Sequence, residues 1–241
     1  MKIPMSMLVL TGALMAWSAA SESQENAGGR GGAVEGEVTI TRNLSAQRMR
    51  FRLYPSYKPI PPPPEGAGRD DEFQNVVMYL EPLDVSPPRQ PTPGKLEIKQ
   101  LGESFIPHVL PVLVGETVEF PNLDPIFHNV FSLSRTETFD LGRYPKGESR
   151  SVTFDKAGVV PVFCHLHSDM SAVVVVLENS LFVVPGPDGN YRISGVPEGR
   201  YKLIAWHERS EPVETEITVA AGQTVDADVT VPIQDDEASG E

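Results

Sequence analysis

One cysteine occurs in the 241 residues, in the run Phe163-Cys164-His165-Leu166-His167-Ser168-Asp169-Met170. His167 follows Cys164 at i+3 and Met170 at i+6. A second segment, Pro125-Ile126-Phe127-His128-Asn129-Val130, ends another apolar stretch and offers His128. One thiolate, two imidazoles and a thioether make up the donor set of a mononuclear blue-copper site, the thioether on a long axial bond. Soft sulfur suits Cu(I) and imidazole suits Cu(II), so one cage can hold both oxidation states. Zinc competes for Cys and His donors, but a closed zinc site takes a fourth hard or thiolate ligand. The fourth residue at hand is Met170, with Asp169 the only local substitute, so copper is the better fit.

Elements have to bring these donors together. Residues 158–163 read as a strand that delivers Cys164 to a sheet edge, and residues 171–177 as the strand that leaves. Only a tight turn fits between them, and ligands three residues apart in such a turn can converge on one point. His128 then arrives from a neighbouring strand end, after the extended run 116–120. With its short C-x2-H-x2-M loop the chain resembles the cupredoxins, and the loop is similar to those of amicyanin and pseudoazurin.

Phe105-x-Pro107, Gly115-x-x-Val118, Asn122-x-Asp124, His128-Asn129-Val130 and Phe139-Asp140-Leu141-Gly142 extend the resemblance over about 85 residues. They are similar to a group of secreted bacterial cupredoxins of the methylamine-utilisation or plastocyanin-like kind. The resemblance implies one type 1 copper per chain, held by His128, Cys164, His167 and, axially, Met170. It also implies that Asn129 ties the two ligand loops together beside the thiolate and that His167 lies nearest solvent. Ser168 and Asp169 depart from relatives that carry Pro or apolar residues there. His165, next to Cys164, is expected to point away from the metal. His108, following a proline, is expected at the surface, and His207 far away in the C-terminal part.

The totals agree with an all-β chain. Pro (23) and Gly (20) are abundant, and no long stretch of helical period appears beyond the N-terminal leader. The net charge of −13 speaks against nucleic acid as a partner, since phosphate binding needs clustered basic residues. Residues 1–20 have the pattern of a secretory signal: Lys2, an apolar run too short to span a bilayer comfortably, then Ser18-Ala19-Ala20. The lack of a cysteine at the cleavage point excludes a lipoprotein. An exported, periplasmic protein is therefore expected. Its lone cysteine cannot form an internal disulfide and is either reactive or a ligand.

Residues 21–33 are polar and Gly-rich, a flexible linker. Val34, Gly36, Val38 and Ile40, and then Met49, Phe51 and Leu53, alternate with polar neighbours as half-buried strands do. The Pro61-Pro62-Pro63-Pro64 run reads as an extended connection, residues 75–81 as a strand, and the proline-rich stretch 82–94 as a linker. Residues 95–178 then form a cupredoxin Greek-key β-sandwich, within which residues 131–144 look irregular.

Residues 180–233 carry Asp-Gly-x-Tyr-x-Ile-x-x-Val-Pro-x-Gly-x-Tyr-x-Leu, which resembles the carboxypeptidase-regulatory-like, transthyretin-like sandwich. Fifty-five residues are few for a sandwich. The strands in 34–83 are therefore expected to complete it, with the cupredoxin inserted between the halves. An acidic tail, 234–241, closes the chain.

The function expected from this reading is one-electron transfer between periplasmic redox partner proteins, without enzymatic turnover. A copper-carrying or copper-sensing module is the main alternative, its smaller sandwich contacting carbohydrate or the cell envelope. A copper oxidase or reductase subunit is the other, since a histidine next to the cysteine ligand connects to a second copper in such enzymes.

Overall fold

The computed structural model describes residues 31–41, 72–87 and 89–233. The signal segment, nearly all of the linker, the strand expected around Met49, Phe51 and Leu53, the tetraproline run and the acidic tail lie outside the described residues. The rest is all-β apart from one short 3-10 turn, Glu72–Asn75.

The chain opens with β1 (Gly32–Ile40), two residues earlier than its alternation suggests, and β2 (Val77–Pro82). The middle of the chain supplies β3 (Lys99–Gln100), β4 (Phe105–Ile106), β5 (Val109–Leu113), β6 (Glu116–Pro121), β7 (His128–Leu133), β8 (Thr138–Tyr144), β9 (Ser149–Phe154), β10 (Gly158–Phe163) and β11 (Ser171–Leu177). The C-terminal part supplies β12 (Phe182–Val183), β13 (Asn190–Val196), β14 (Gly199–His207), β15 (Ser210–Val219), β16 (Thr224–Asp226) and β17 (Val229–Val231).

In the middle part, a five-stranded sheet runs β5-β11-β10-β7-β8, with β5 parallel to β11 and the other neighbours antiparallel. Facing it are the β6-β9 pair and the small β3-β4 pair, the latter joined to β6 through bridges at Glu97–Glu119 and Gln100–Asn122. Val118, Phe120, Val130, Phe154, Val160, Val162, Ala172, Val174 and Val176 fill the space between them, together with Cys164 and Met170.

Residues 131–144 are not irregular. They belong largely to β7 and β8, which pair from His128–Tyr144 to Leu133–Thr138 with a register shift between Asn129 and Phe131. That bulge and Gly142, at φ +67, interrupt the two-residue alternation by which a strand is recognised.

Among the described residues, β1 pairs with β13, β16 and β17, and β2 with β12 and β14. The N-terminal strands thus complete sheets otherwise made from the C-terminal part. Val34, Val38, Met78, Leu80, Ile193, Tyr201, Leu203 and Val231 are among the side chains buried between these sheets.

A third apolar cluster joins the two halves. Val109, Leu113, Val173, Val175 and Leu177 pack with Val77, Tyr79 and Trp206. Strand β11 is therefore buried on both faces: Ala172, Val174 and Val176 point into one core and Val173, Val175 and Leu177 into the other. A strand covered on both sides is read as a continuous apolar run rather than an alternating one, and Ala172-Val173-Val174-Val175-Val176-Leu177 is such a run.

Candidate metal centre

The site lies where β7 begins and β10 ends. β7 starts on His128 itself, whose side chain is fully buried. β10 ends at Phe163, so Cys164 is the first residue of the turn leading to β11, and Met170 is the last. Two backbone bonds close that turn: Cys164 N–H donates to Met170 O at 3.3 Å, and Met170 N–H to His167 O at 3.1 Å. Every potential ligand is placed by a strand end or by this hydrogen-bonded loop.

His128, Cys164 and His167 converge, with one donor atom of each within 4.8 Å of the others. His128 Nδ1 is 3.0 Å from His167 Nδ1, and Cys164 Sγ is 3.8 Å from His167 Nδ1. Imidazole nitrogen and thiolate sulfur bind a first-row ion at about 2.0–2.1 and 2.3 Å, so each of these pairs is close enough for one ion to touch both atoms. Among the described residues this is the one His/Cys/carboxylate group with such geometry. Met170 is buried in the same core cluster as Cys164. Asp169, the local alternative, is exposed.

Asp124 fixes the chemistry of His128. Its Oδ2 lies 2.8 Å from His128 Nε2. The carboxylate can only accept, so Nε2 carries the proton and Nδ1 keeps its lone pair for a metal. Burial of Asp124 works against its charge, but N–H donors from Glu103 and Gly102, then His128, outweigh it and hold its carboxyl below the usual range. Those two amides sit at 2.9 and 2.7 Å. They point at one carboxylate because Gly102 and Glu103 are both left-handed, at φ +64 and +55. Two such residues in succession turn adjacent N–H groups towards one anion. Asp124 stands in the sequence only within the Asn122-x-Asp124 motif, with no role assigned; the structure gives it one, and its signal is a carboxylate four residues before His128.

His167 is half-buried, against full burial for His128. Burial first, and then the neighbouring His128, lower its pKa. Its ring is thus neutral and available as a ligand over a wider pH range than that of a free histidine. Around it the chain exposes Leu166, and before His128 it exposes Ile126 and Phe127.

Asn129 links the two loops: its Oδ1 accepts the His165 backbone N–H at 2.7 Å. The His165 ring is exposed and stacks on Phe131 with centroids 3.7 Å apart, outside the converging group. His207 is buried in the smaller sandwich and bonds Glu72. His108 is not the surface residue expected, because its side chain is only 10 % exposed and bonds at both nitrogens. Its ring is held between Ser171 at the start of β11 and Glu208 after β14 rather than projecting into water.

Residues 170–232 match the model of the carboxypeptidase regulatory-like domain. That match starts on Met170 and so includes β11, ten residues ahead of the boundary read from the sequence. No curated protein matches the sequence. Among solved structures, the chain is similar to a copper-containing nitrite reductase from Thermus scotoductus at 28 % identity and a TM-score of 0.34, over 42 % of this chain but only 26 % of that enzyme. It is similar to a purple cupredoxin from Nitrosopumilus maritimus at 22 % identity and a TM-score of 0.32, over 34 % of this chain and all of the other. An amicyanin variant in its Cu(I) form is 23 % identical over 41 % of this chain and 99 % of its own, with a TM-score of 0.33. The chain is thus similar to two kinds of protein at once: cupredoxins, and the carboxypeptidase regulatory-like domain.

Proposed function

We propose that the protein is an exported type 1 copper protein that passes single electrons between periplasmic redox partners. One observation carries this reading: a cysteine sulfur and two imidazole nitrogens converge, with a methionine buried in the same apolar cluster as the cysteine. That donor set suits copper in a trigonal site with a weak axial sulfur. Bound copper would supply a reversible one-electron step between Cu(II) and Cu(I).

The chain's own residues supply the rest. Asp124 holds His128 in the tautomer that frees Nδ1, and Asn129 pins the ligand loop to β7. His128, Cys164 and Met170 are buried, which keeps bulk water from the sulfur donors. A site pinned in this way changes little between oxidation states, and little rearrangement means fast transfer. His167 is the ligand nearest the surface, with exposed Ile126, Phe127 and Leu166 flanking the ligands in the chain. Such an apolar margin suits brief docking of a partner protein. In this reading the protein is a carrier and not an enzyme, and the smaller sandwich presents the copper domain.

Protein-film voltammetry on the copper-loaded protein tests it. Reversible one-electron cycling without substrate turnover supports a carrier. A bound copper that cannot be cycled would favour the copper-carrying or sensing alternative, and catalytic current with nitrite or oxygen would favour an enzyme.

A further inference from the structure

Of the three histidines outside the metal group, His165 stacks on Phe131, while His108 bonds Glu208 of the smaller sandwich and His207 follows Trp206 of the cluster shared by the two halves. His207 ends β14 with its side chain buried, its Nε2 2.9 Å from Glu72 Oε1 and its Nδ1 accepting the Arg209 backbone N–H at 3.1 Å. Both ring nitrogens are engaged, so the turn between β14 and β15 is held in one shape. That turn presents Glu208, whose Oε1 lies 2.8 Å from His108 Nε2. The other nitrogen of His108, Nδ1, lies 2.9 Å from the carbonyl oxygen of Ser171.

Carboxylate and carbonyl oxygens are both acceptors, so the ring meets an acceptor on each side. Both ring nitrogens of His108 are thus tied, one to the smaller sandwich and one to the start of β11. Ser171 is the residue after Met170. The His108 carbonyl also accepts the Val173 N–H at 2.7 Å. His108 therefore grips the first residues of β11 by side chain and main chain together, directly beyond Met170. Val109, Val173 and Trp206, close neighbours in the chain of His108, Ser171 and His207, are buried together there.

We propose that His108 is a positioning residue for the Met170 side of the metal site, through which Glu208 of the smaller sandwich holds Ser171 and so sets where Met170 stands. This rests on the reading of His128, Cys164, His167 and Met170 as copper ligands. The smaller sandwich then does more than present the site: it tunes it. The reduction potential of such a centre depends on its axial ligand, and partners beyond the ligands typically change metal affinity 10–100-fold.

The test uses full-length Glu208→Ala, with Glu208→Gln as the conservative variant that keeps an acceptor in place. Each is loaded with copper, and its EPR spectrum, reduction midpoint and rate of copper loss to a chelator are compared with those of the unsubstituted protein. Glu208→Ala is expected to shift the midpoint, alter the EPR spectrum and lose copper roughly tenfold faster, with Glu208→Gln in between. If Glu208→Ala fails to fold, the shift in Glu208→Gln decides. Unchanged spectrum, midpoint and release rate, with or without a lower melting temperature, would overturn the proposal and leave His108 as a tie between sandwiches. If the unsubstituted protein forms no blue centre, the copper reading falls and this proposal with it, a result distinct from a blue protein indifferent to Glu208.

Discussion

Replacing Asp124 separates a built metal site from a chance meeting of side chains. The carboxylate accepts three hydrogen bonds, from Gly102 N–H, Glu103 N–H and His128 Nε2–H. In Asp124→Ala all three donors lose their partner. Gly102 is exposed and Glu103 half-exposed, so water can reach those amides. The His128 side chain has no exposure, and its N–H would stay unsatisfied at a cost of about 1–3 kcal/mol. Relief of the left-handed Glu103, which strains a non-glycine residue by about 1 kcal/mol, offsets part of this if the loop relaxes. The net expectation is a loss of up to about 2 kcal/mol in the stability of the metal-free protein if the loop relaxes, and up to about 3 if it does not, read as the midpoint of urea unfolding.

Copper affinity should fall about 10–100-fold, because His128 can then protonate on Nδ1, the nitrogen meant for the metal. Asp124→Asn keeps one acceptor oxygen and should lose about 1 kcal/mol. The assays are urea unfolding, copper competition against a chelator, and nitrogen NMR of the His128 tautomer. If Asp124→Ala leaves stability, affinity and tautomer unchanged, the carboxylate does not organise the site and the reasoning is wrong.

Other consequences can be measured with equal directness. Asn129→Ala removes the 2.7 Å bond to His165 N–H; it should lower stability by about 1–3 kcal/mol and slow electron self-exchange, while Asn129→Ser should recover part of the loss. A fragment of residues 95–178 exposes Val109, Leu113, Val173, Val175 and Leu177. Each is worth about 1.5–3 kcal/mol when buried, so the fragment should aggregate or unfold, as seen by sedimentation and circular dichroism. In the metal-free protein His167 has a lowered pKa, from burial and then from His128. The unfolded chain therefore takes the proton first, and stability should be complete above about pH 6.5 and decline as pH falls through the lower folded value. Thermal melts across pH 4.5–8 (roughly the histidine range) should show this slope, and His167→Gln should flatten it.

The site was more legible in the sequence than the scaffold behind it. Cys164 and His167 lie in one short turn closed by Met170, so their spacing alone expresses their convergence. His128 needed only an apolar strand leading to it. Asp124 stood in a quoted motif, but its role escaped notice because it depends on the left-handed pair Gly102 and Glu103, more than twenty residues away in the chain, and no local pattern links them. Residues 131–144 hid two strands because a bulge near Val130 and a positive φ at Gly142 break the alternation. The apolar run of β11 announced burial on both faces but not what covers the second. That cover comes from β2 and β14, a pairing distant in sequence, and it also draws His108 out of solvent.

The central claim is that His128, Cys164 and His167 hold one copper ion as a type 1 centre. The most direct measurement is a visible and EPR spectrum of the purified protein, without residues 1–20, after one equivalent of Cu(II). An intense blue thiolate-to-copper band with narrow copper hyperfine splitting is expected, saturating at one ion per chain and absent from Cys164→Ala. A colourless protein, or a blue band that survives Cys164→Ala, would contradict the claim.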